Sequence, residues 1–387
     1  MGFNVWTIFH SEASLGWGGQ EIRILNESLG MKARGHRVII IAQDDSLILE
    51  KARLAGLDAL SVSFRKKDYP KTVLSLVRSI KKYRPDIVNT HSSRDSWLLT
   101  LASRLSKKRP AVIRTRHIST PVSVGFASSL IYRRLPDKIV TTAEAIREAL
   151  IERNGVDPGK VVSIPTGIDT AAFDPGRGLA GIRQEIGAGP DTPVVGMVSV
   201  LRSWKGHEYF IEAARFVAER FPLARFVITG DGPSKGAISE AIASSGLGAR
   251  FHLLGHRDDV PNILSSLDIF VQPSYANEGV PQSVLQAMAM GVPVVATDLK
   301  PFKEIVKDRE TGLLAPVKDP QALADRISEI LADARLSERL SKNARALALK
   351  SFSIESMLDR TEELYSGLLS SRSVAAPENA GTKTHSE

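Results

Sequence analysis

The sequence predicts an α/β protein built from two doubly wound, Rossmann-like domains in tandem, facing each other across a cleft. Three observations carry that prediction. Short apolar runs rich in β-branched residues alternate with helix-periodic stretches along nearly the whole chain, the pattern of parallel sheets with helices on both faces. The alternation breaks once, in the Gly-, Pro- and Asp-rich stretch that begins GIDTAAFDPGRG at Gly167, and then restarts. The chain has 387 residues, more than one ordinary core accommodates, so two domains are expected.

The elements follow in order. Phe3 to His10 reads as a strand, and the loop SEASLGWGGQE leads into a helix with Ile22, Leu25 and Leu29 on one face, ending near Gly35. RVIIIAQ is continuously apolar, as a strand covered on both faces would be. A helix near 46–55, strand ALSVSF, helix 70–83, strand DIVNTH, helix 95–105 and strand AVIRTRH continue the alternation. After Pro136 come strand KIVTT, helix 143–153 and strand VVSIPTG. The second domain runs VVGMVSV, helix 206–220, RFVITGDG, helix 234–245, RFHLLGH, a short helix at 258–265, IFVQPS, a helix from about Pro281, and VPVVATD. Helices near 319–332, 335–350 and 353–369 close the chain. The boundaries expected are residues 1–170 for the first domain and 171–352 for the second. The helix at about 353–369 returns to the first domain, and residues 371–387 form a polar, disordered tail.

Composition narrows the class. Hydrophobic content of 43% and charged content of 24% suit a globular protein in water, and no apolar run approaches the roughly 20 residues a membrane span needs. No secretory leader is expected, and the absence of cysteine excludes thiolate metal sites and a cysteine nucleophile. Residues 1–180 carry 28 Lys and Arg against 17 Asp and Glu, a net +11, whereas residues 181–387 carry 23 against 26, a net −3. The excess sits in Arg65-Lys66-Lys67, Lys81-Lys82-Tyr83-Arg84, Lys107-Lys108-Arg109 and Arg133-Arg134. These are either solvated helix ends and loops or a face that attracts an acidic acceptor or an anionic membrane surface, at about 1 kcal/mol per basic side chain. Nucleic acid is not an expected partner, since no finger, basic zipper or interleaved aromatic motif accompanies them.

Several short stretches could carry chemistry. In EGVPQSVLQAMAMGVPVVATD, a helix beginning near Pro281 or Gln282 would direct unpaired N–H groups and its positive dipole end outward, a site suited to phosphate. Glu278 stands just before it, either as a ligand for hydroxyls beside that phosphate or as an ordinary loop carboxylate. In VLRSWKGHEYF, Arg202 and Lys205 lie in a strand-to-helix turn, where a cation reaches a diphosphate; the plainer reading is a surface turn. ITGDGP, with Gly230 and Gly232, ends a strand in a tight turn of a common kind. GHRDDV, with His256 and Arg257, offers backbone groups to a nucleobase or simply caps a helix. GWGGQE, with Trp17, Gly18 and Gly19, lacks the dinucleotide spacing but allows close backbone approach. His91 and His117 each end a predicted strand, where the cleft lies. No Asp-x-Asp pair, phosphate-loop lysine motif or serine-elbow motif occurs.

GGQEIRI, DIVNTHSS, VSIPTGID, KGHEYFIEA, ITGDGP, LGHRDDVP and PSYANEGVPQSVLQAMAMGVPVVATD together resemble, in order, the family four retaining glycosyltransferases (group 1 glycosyl transferases) over residues 4–368. The resemblance implies the GT-B fold and metal-independent transfer of a sugar, with retention, from a nucleotide-diphosphate sugar that is substrate and not cofactor. Glu278 is then the first glutamate of the family's E-x7-E element, beside the donor sugar's anomeric carbon. Gly279, Val280 and Pro281 hold the distal phosphate, Lys205 neutralises the diphosphate, and His117 bonds the donor sugar. Gly18 and Gly19 lie under the diphosphate and acceptor; Gly230, Gly232, His256 and Arg257 line the donor side; His91 and Trp17 are acceptor-side candidates. Two positions depart from the pattern. Val200 stands where relatives have Arg, so Arg202 is expected to supply the second cation. Gln286 replaces the second glutamate, which accepts from a ribose diol.

The function expected is transfer from a UDP- or GDP-sugar to the hydroxyl of a saccharide or lipid-linked acceptor, in lipopolysaccharide or other cell-envelope glycan synthesis. The expected place is the cytoplasm, at the inner face of the membrane. No metal or other cofactor is expected. The alternatives are a nucleotide-sugar 2-epimerase on the same architecture, for which no clear acidic set is found, and a non-catalytic nucleotide-sugar binding module.

Overall fold

The computed structural model describes residues 5–123 and 125–374. The first sheet contains β1 (Thr7–Glu12), β2 (Arg37–Ala42), β3 (Asp58–Ser61), β4 (Ile87–Thr90), β5 (Ala111–Arg116), β6 (Lys138–Thr141) and β7 (Val161–Ser163), in the order β3-β2-β1-β4-β5-β6-β7. The second contains β8 (Val194–Val198), β9 (Arg225–Thr229), β10 (Phe251–Gly255), β11 (Ile269–Gln272), β12 (Val294–Thr297) and β13 (Leu313–Ala315), in the order β10-β9-β8-β11-β12-β13. Every strand pair is parallel. Each order reverses once, between β1 and β4 and between β8 and β11. Such switch points open a crevice at the carboxyl ends of the strands.

The continuous apolar strands are covered on both faces. Ile8, Ile40 and Ile113 pack toward the helix Gly19–Ala33, while Phe9, Ile39 and Val88 pack with Leu76 and Leu98 on the other side. In the second sheet Val194, Phe270 and Val294 face Val284 and Met288, and Val195, Ile269 and Val295 face Phe210 and Leu323. The chain crosses between the sheets twice, side by side. Ile168 N donates to Phe352 O at 2.8 Å and Ile354 N to Ile168 O at 2.9 Å. The helix Ile354–Val374 then packs its Met357, Leu358 and Tyr365 into the core of the first sheet. It runs past Ser371, where the sequence placed the start of the tail; the rest of that tail lies outside the described residues.

Three features differ from the sequence reading. β1 extends to Glu12, because His10, Ser11 and Glu12 pair with Ile40, Ile41 and Ala42 in spite of their polarity. The stretch Phe126–Arg134 is helical, with a wide π-helical turn over Leu130–Arg134; the Ser128-Ser129 pair and the wide turn mask the period. β13, only three residues long, pairs with β12 at the sheet edge and is too short to show an alternation. No helix among the described residues is long and apolar enough to cross a membrane.

Candidate active site

On the second domain, β8 leads over Ser199–Leu201 into a single 3-10 turn, Ser203–Lys205. Lys205 Nζ lies 2.6 Å from Glu278 Oε1, with the two side chains 16% and 7% exposed. Ser274 Oγ donates to the same oxygen at 2.6 Å, and Gln272 Nε2 donates to Ser274 at 2.8 Å. Glu278 is therefore a buried carboxylate held by one cation and one hydroxyl. Removing either charge leaves its partner uncompensated, at a cost of about 3–5 kcal/mol for a buried pair. Arg202 is exposed, its guanidinium 5.2 Å from the centre of the Trp204 ring, and has no ion-pair partner among the described residues. Val200 is also exposed.

Gly230 and Gly232 stitch this turn to its neighbour. A Cβ on Gly230 would lie 1.8 Å from Ser199 O, and one on Gly232 2.5 Å from Leu201 O; both residues have positive φ. Leu201 N donates to Asp231 O at 2.9 Å, and Ser234 N returns a bond to Leu201 O at 3.0 Å. The glycines thus permit the backbone contact that places Arg202 and Lys205. Pro281 forms the N-cap of the helix Gln282–Ala289, with Val280 buried beside it. Gln286 is half-buried on that helix, and its side chain has no partner among the described residues.

On the first domain, three histidines form a chain. His10 Nδ1 and His91 Nε2 are 3.0 Å apart, and His91 Nδ1 and His117 Nε2 are 2.9 Å apart. Beyond them, His10 Nε2 is 3.8 Å from Glu27 Oε1, which accepts from Tyr365 at 3.1 Å, and Glu27 Oε2 is 3.5 Å from Arg23 Nε. Burial pushes all three imidazoles below their ordinary pKa, His91 and His117 well below it, with Arg23 adding to the effect. Neutral rings in a row donate in one direction only. The Glu27 carboxylate favours an N–H on His10 Nε2, so each ring donates inward and His117 Nδ1 is left as an acceptor.

Glu12 and Asp95 lie at the end of β1. Burial first, and the Asp95 charge second, raise the Glu12 pKa to about 8. Burial likewise raises Asp95, against hydrogen bonds from Ser92, Ser11 and the His91 backbone. Glu12, Gly19, Gln20, Ser93, Arg94 and Ile118 line a cavity of about 630 Å³ here. Gly18 starts the helix Gly19–Ala33, and a Cβ on Gly19 would meet open space.

The two walls touch where the loop before Pro281 meets the end of β5. A Cβ on Gly279 would lie 2.6 Å from His117 O and 2.9 Å from Thr142 Oγ1. Glu304 of the second domain also accepts from the backbone N–H groups of Glu144 and Ala145, both at 2.7 Å, at the start of a first-domain helix. Glu278, Lys205 and His117 are thereby brought to one junction. His256 is exposed and 3.4 Å from Asp258, while Arg257 is committed to Glu185 and Asp259, whose side-chain hydrogen bonds raise its pKa. Trp17 packs against the first-domain core with Lys51 Nζ 4.8 Å from its ring.

Comparison with known proteins agrees with this architecture. The family model described as Glycosyl transferases group 1 matches residues 181–347, and Glycosyltransferase Family 4 matches residues 17–172. Over 307 residues the chain is 31% identical to the UDP-Gal:alpha-D-GlcNAc-diphosphoundecaprenol alpha-1,3-galactosyltransferase of Escherichia coli, covering 76% of this chain and 79% of that protein. This chain is a group 1, family 4 glycosyltransferase. Its fold superimposes on the glycosyltransferase of Rickettsia africae with a TM-score of 0.86 at 23% identity, over 95% of this chain and 99% of that one. Anabaena HepE in complex with UDP-glucose matches with a TM-score of 0.81 at 20% identity, over 94% of this chain and all of that one. Both are GT-B structures, and this glycosyltransferase has the same two-domain fold.

Sequence reasoning missed several residues of the junction. His10 and Glu12 were read as strand end and loop; their alternation with Ile8 on one face of β1 is the signal that could have found them. Ser274 and Thr142 carry no sequence signal, since their importance depends on contacts with residues far along the chain. The Lys205–Glu278 pair joins positions 73 apart, and only the β8–β11 adjacency brings them together.

Proposed function

We propose that this glycosyltransferase moves a sugar, with retention, from a nucleotide-diphosphate sugar to an acceptor hydroxyl in cell-envelope glycan synthesis. The observation that carries the reading is the junction of Lys205, Glu278 and the helix start at Pro281 with His117 across the cleft. Lys205, exposed Arg202 and the helix N-terminus concentrate positive charge where a departing diphosphate would lie. At an effective dielectric near 20, one cation about 4 Å from an anion is worth roughly 4 kcal/mol before desolvation. That charge supports leaving-group departure without a metal. Gly279 to Pro281 present backbone groups to the distal phosphate, and His117 Nδ1, an acceptor, suits a sugar hydroxyl.

In the reaction the bond between the sugar C1 and the phosphate oxygen breaks, and its electron pair leaves with the diphosphate. The acceptor oxygen bonds to C1 on the same face, and its proton passes to the leaving phosphate oxygen. Glu278 is engaged by Lys205 and Ser274, so its part is to hold the lysine and meet the sugar. Gln286 offers a neutral acceptor to the ribose. The E. coli relative names UDP-galactose and a diphosphoundecaprenol-linked acceptor, which supports a cell-envelope pathway and a UDP-sugar. The exposed basic clusters of the first domain support attraction to an anionic membrane surface.

The test offers UDP- and GDP-sugars with and without a membrane lipid extract, in the presence of a chelator. Acceptor-dependent nucleotide release and a product with the donor's anomeric configuration are expected. Acceptor-independent release of nucleotide or an isomerised sugar, an inverted linkage, or loss of rate with the chelator would each contradict the reading.

A further inference from the structure

A second hollow lies beside the first-domain cavity and shares Ser93 and Ile118 with it. Its volume is about 340 Å³, and Trp97, Arg114, Arg116 and Tyr132 form its polar and aromatic lining. Arg114 is 5% exposed, yet its Nε and Nη1 have no hydrogen-bond partner. Only Nη2 is engaged, donating to Tyr132 Oη at 3.0 Å and lying 3.5 Å from Ser93 Oγ. The Tyr132 ring covers the guanidinium, 4.4 Å from its carbon. Arg116 Nη1 donates to the same phenol oxygen at 2.8 Å, so one neutral group holds two cations together.

A guanidinium carries five N–H donors and stays charged, and a buried one is ordinarily paired with an anion. Neither Arg114 nor Arg116 has a carboxylate partner among the described ion pairs. Asp95 feels the Arg114 charge but is committed to Ser92, Ser11 and the His91 backbone. Arg116 Nη2 also donates to Thr120 O, so the unused, desolvated donors are Arg114 Nε and Nη1, in a doubly positive hollow set against an aromatic wall.

Resting on the transferase reading, we propose that this hollow binds the phosphate or diphosphate of a phosphate-linked acceptor saccharide. The reacting sugar would occupy the adjoining cavity beside Glu12 and His117. Phosphate matches the site better than a carboxylate, because two cations and several free N–H groups call for a multiply charged anion with more than two oxygens. Tyr132 acts by positioning, since its oxygen draws the two arginines to one side of the hollow. The site is separate from Lys205 and Arg202, which lie on the other domain, so donor and acceptor phosphates would have different cations.

The experiment combines binding with kinetics. Inorganic pyrophosphate is titrated calorimetrically into the wild type, Lys205→Ala, Arg114→Met and Arg116→Gln, each checked for fold by thermal melting. Two sites are expected in the wild type, one lost with Lys205→Ala and the other lost or weakened at least tenfold with Arg114→Met and Arg116→Gln. Transfer is then compared between a GlcNAc-diphosphoryl-decane acceptor and decyl N-acetylglucosaminide. The two arginine variants should raise KM for the diphosphate acceptor at least tenfold and leave the alkyl glycoside and donor KM unchanged. Arg116→Gln keeps the test decisive if Arg114→Met is poorly folded, because Arg116 is only half-buried. A pyrophosphate site indifferent to Arg116 would overturn the proposal, as would KM changes of equal size for both acceptors, which would make the arginines structural, or no change for either, which would make this a free-anion site. If the wild type transfers to no acceptor at all, the transferase reading fails while the pyrophosphate titration still decides whether the anion site exists.

Discussion

Substituting Gly279 by alanine isolates the contact between the two walls of the cleft. Its Cβ would sit 2.6 Å from the His117 carbonyl oxygen and 2.9 Å from Thr142 Oγ1, whereas ordinary contact begins at 3.4 Å. Gly279 does not have positive φ, so the conflict lies between domains and not in the local backbone. Relief requires the Glu278–Pro281 loop to retreat by about 0.8 Å, since the repulsive wall is steep and His117 O is held by Thr142. A displacement of about 1 Å among reacting groups costs on the order of 10²-fold in rate. Gly279→Ala should therefore lower kcat/KM about 10²-fold while changing stability by no more than about 1 kcal/mol, because the loop can yield into the cleft. Gly19→Ala is the matched control for folding, since its Cβ meets nothing within 4 Å. Initial rates and thermal melts of both variants give the answer. A well-folded Gly279→Ala enzyme within about threefold of wild-type kcat/KM would refute the claim that this contact sets the site's geometry.

Gln286→Glu should tighten nucleotide diphosphate binding roughly fivefold to tenfold, with kcat unchanged, because a charged acceptor strengthens a hydroxyl contact that takes no part in bond breaking; calorimetry with turnover measurements checks this. His207 is buried with its Nε2 3.0 Å from Ser199 Oγ, and burial, with Lys205 nearby, lowers its pKa from 6.5 to about 4. The unfolded chain then binds the proton first, so stability is full above pH 6.5 and is lost as pH falls toward 4. Between pH 7.5 and 5 the loss from this group is about 2 kcal/mol, and His207→Asn should remove that loss, read from urea unfolding free energies as a wild-type-minus-variant difference that shrinks by about 2 kcal/mol between those pH values. The raised Glu12 pKa acts in the opposite sense, favouring the folded state below its ordinary range, but is unchanged by that substitution. Anionic vesicles should carry the protein on flotation at low salt and release it as the Debye length shrinks toward about 3 Å at 1 M. Replacing Arg65, Lys66 and Lys67 by serine should weaken this, since that exposed cluster follows β3, the outermost strand of the first sheet.

Much of the scaffold was legible because a parallel sheet imposes local patterns. RVIIIAQ and VPVVATD advertise two-sided burial, and the helix expected to begin at Pro281 or Gln282 begins at Gln282. The resemblance placed Glu278, Lys205 and His117, and the fold brings them to one junction. What stayed hidden depends on contacts between distant residues. Gly230 and Gly232 look like a common turn, yet their crowding by Ser199 and Leu201 is visible only once β8 and β9 are side by side. Arg257 looked available to a ligand, but the inter-domain stretch supplies Glu185 to it. The histidine chain joins β1 to the ends of β4 and β5; each member ends a strand in the sequence, but only the strand order shows that they lie in one row. Arg114 reads as one of several polar residues that close the strand AVIRTRH, and the lack of partners on its Nε and Nη1 cannot be seen without its neighbours.

Lys205, steadied by Glu278, is proposed to stabilise a departing diphosphate. Single-turnover transfer by Lys205→Ala, at saturating donor and with fold verified, tests it most directly. The chemical step should slow roughly 10²–10³-fold, as for loss of a charge-stabilising donor at a reacting centre. A folded Lys205→Ala enzyme with near-normal single-turnover rate would contradict it.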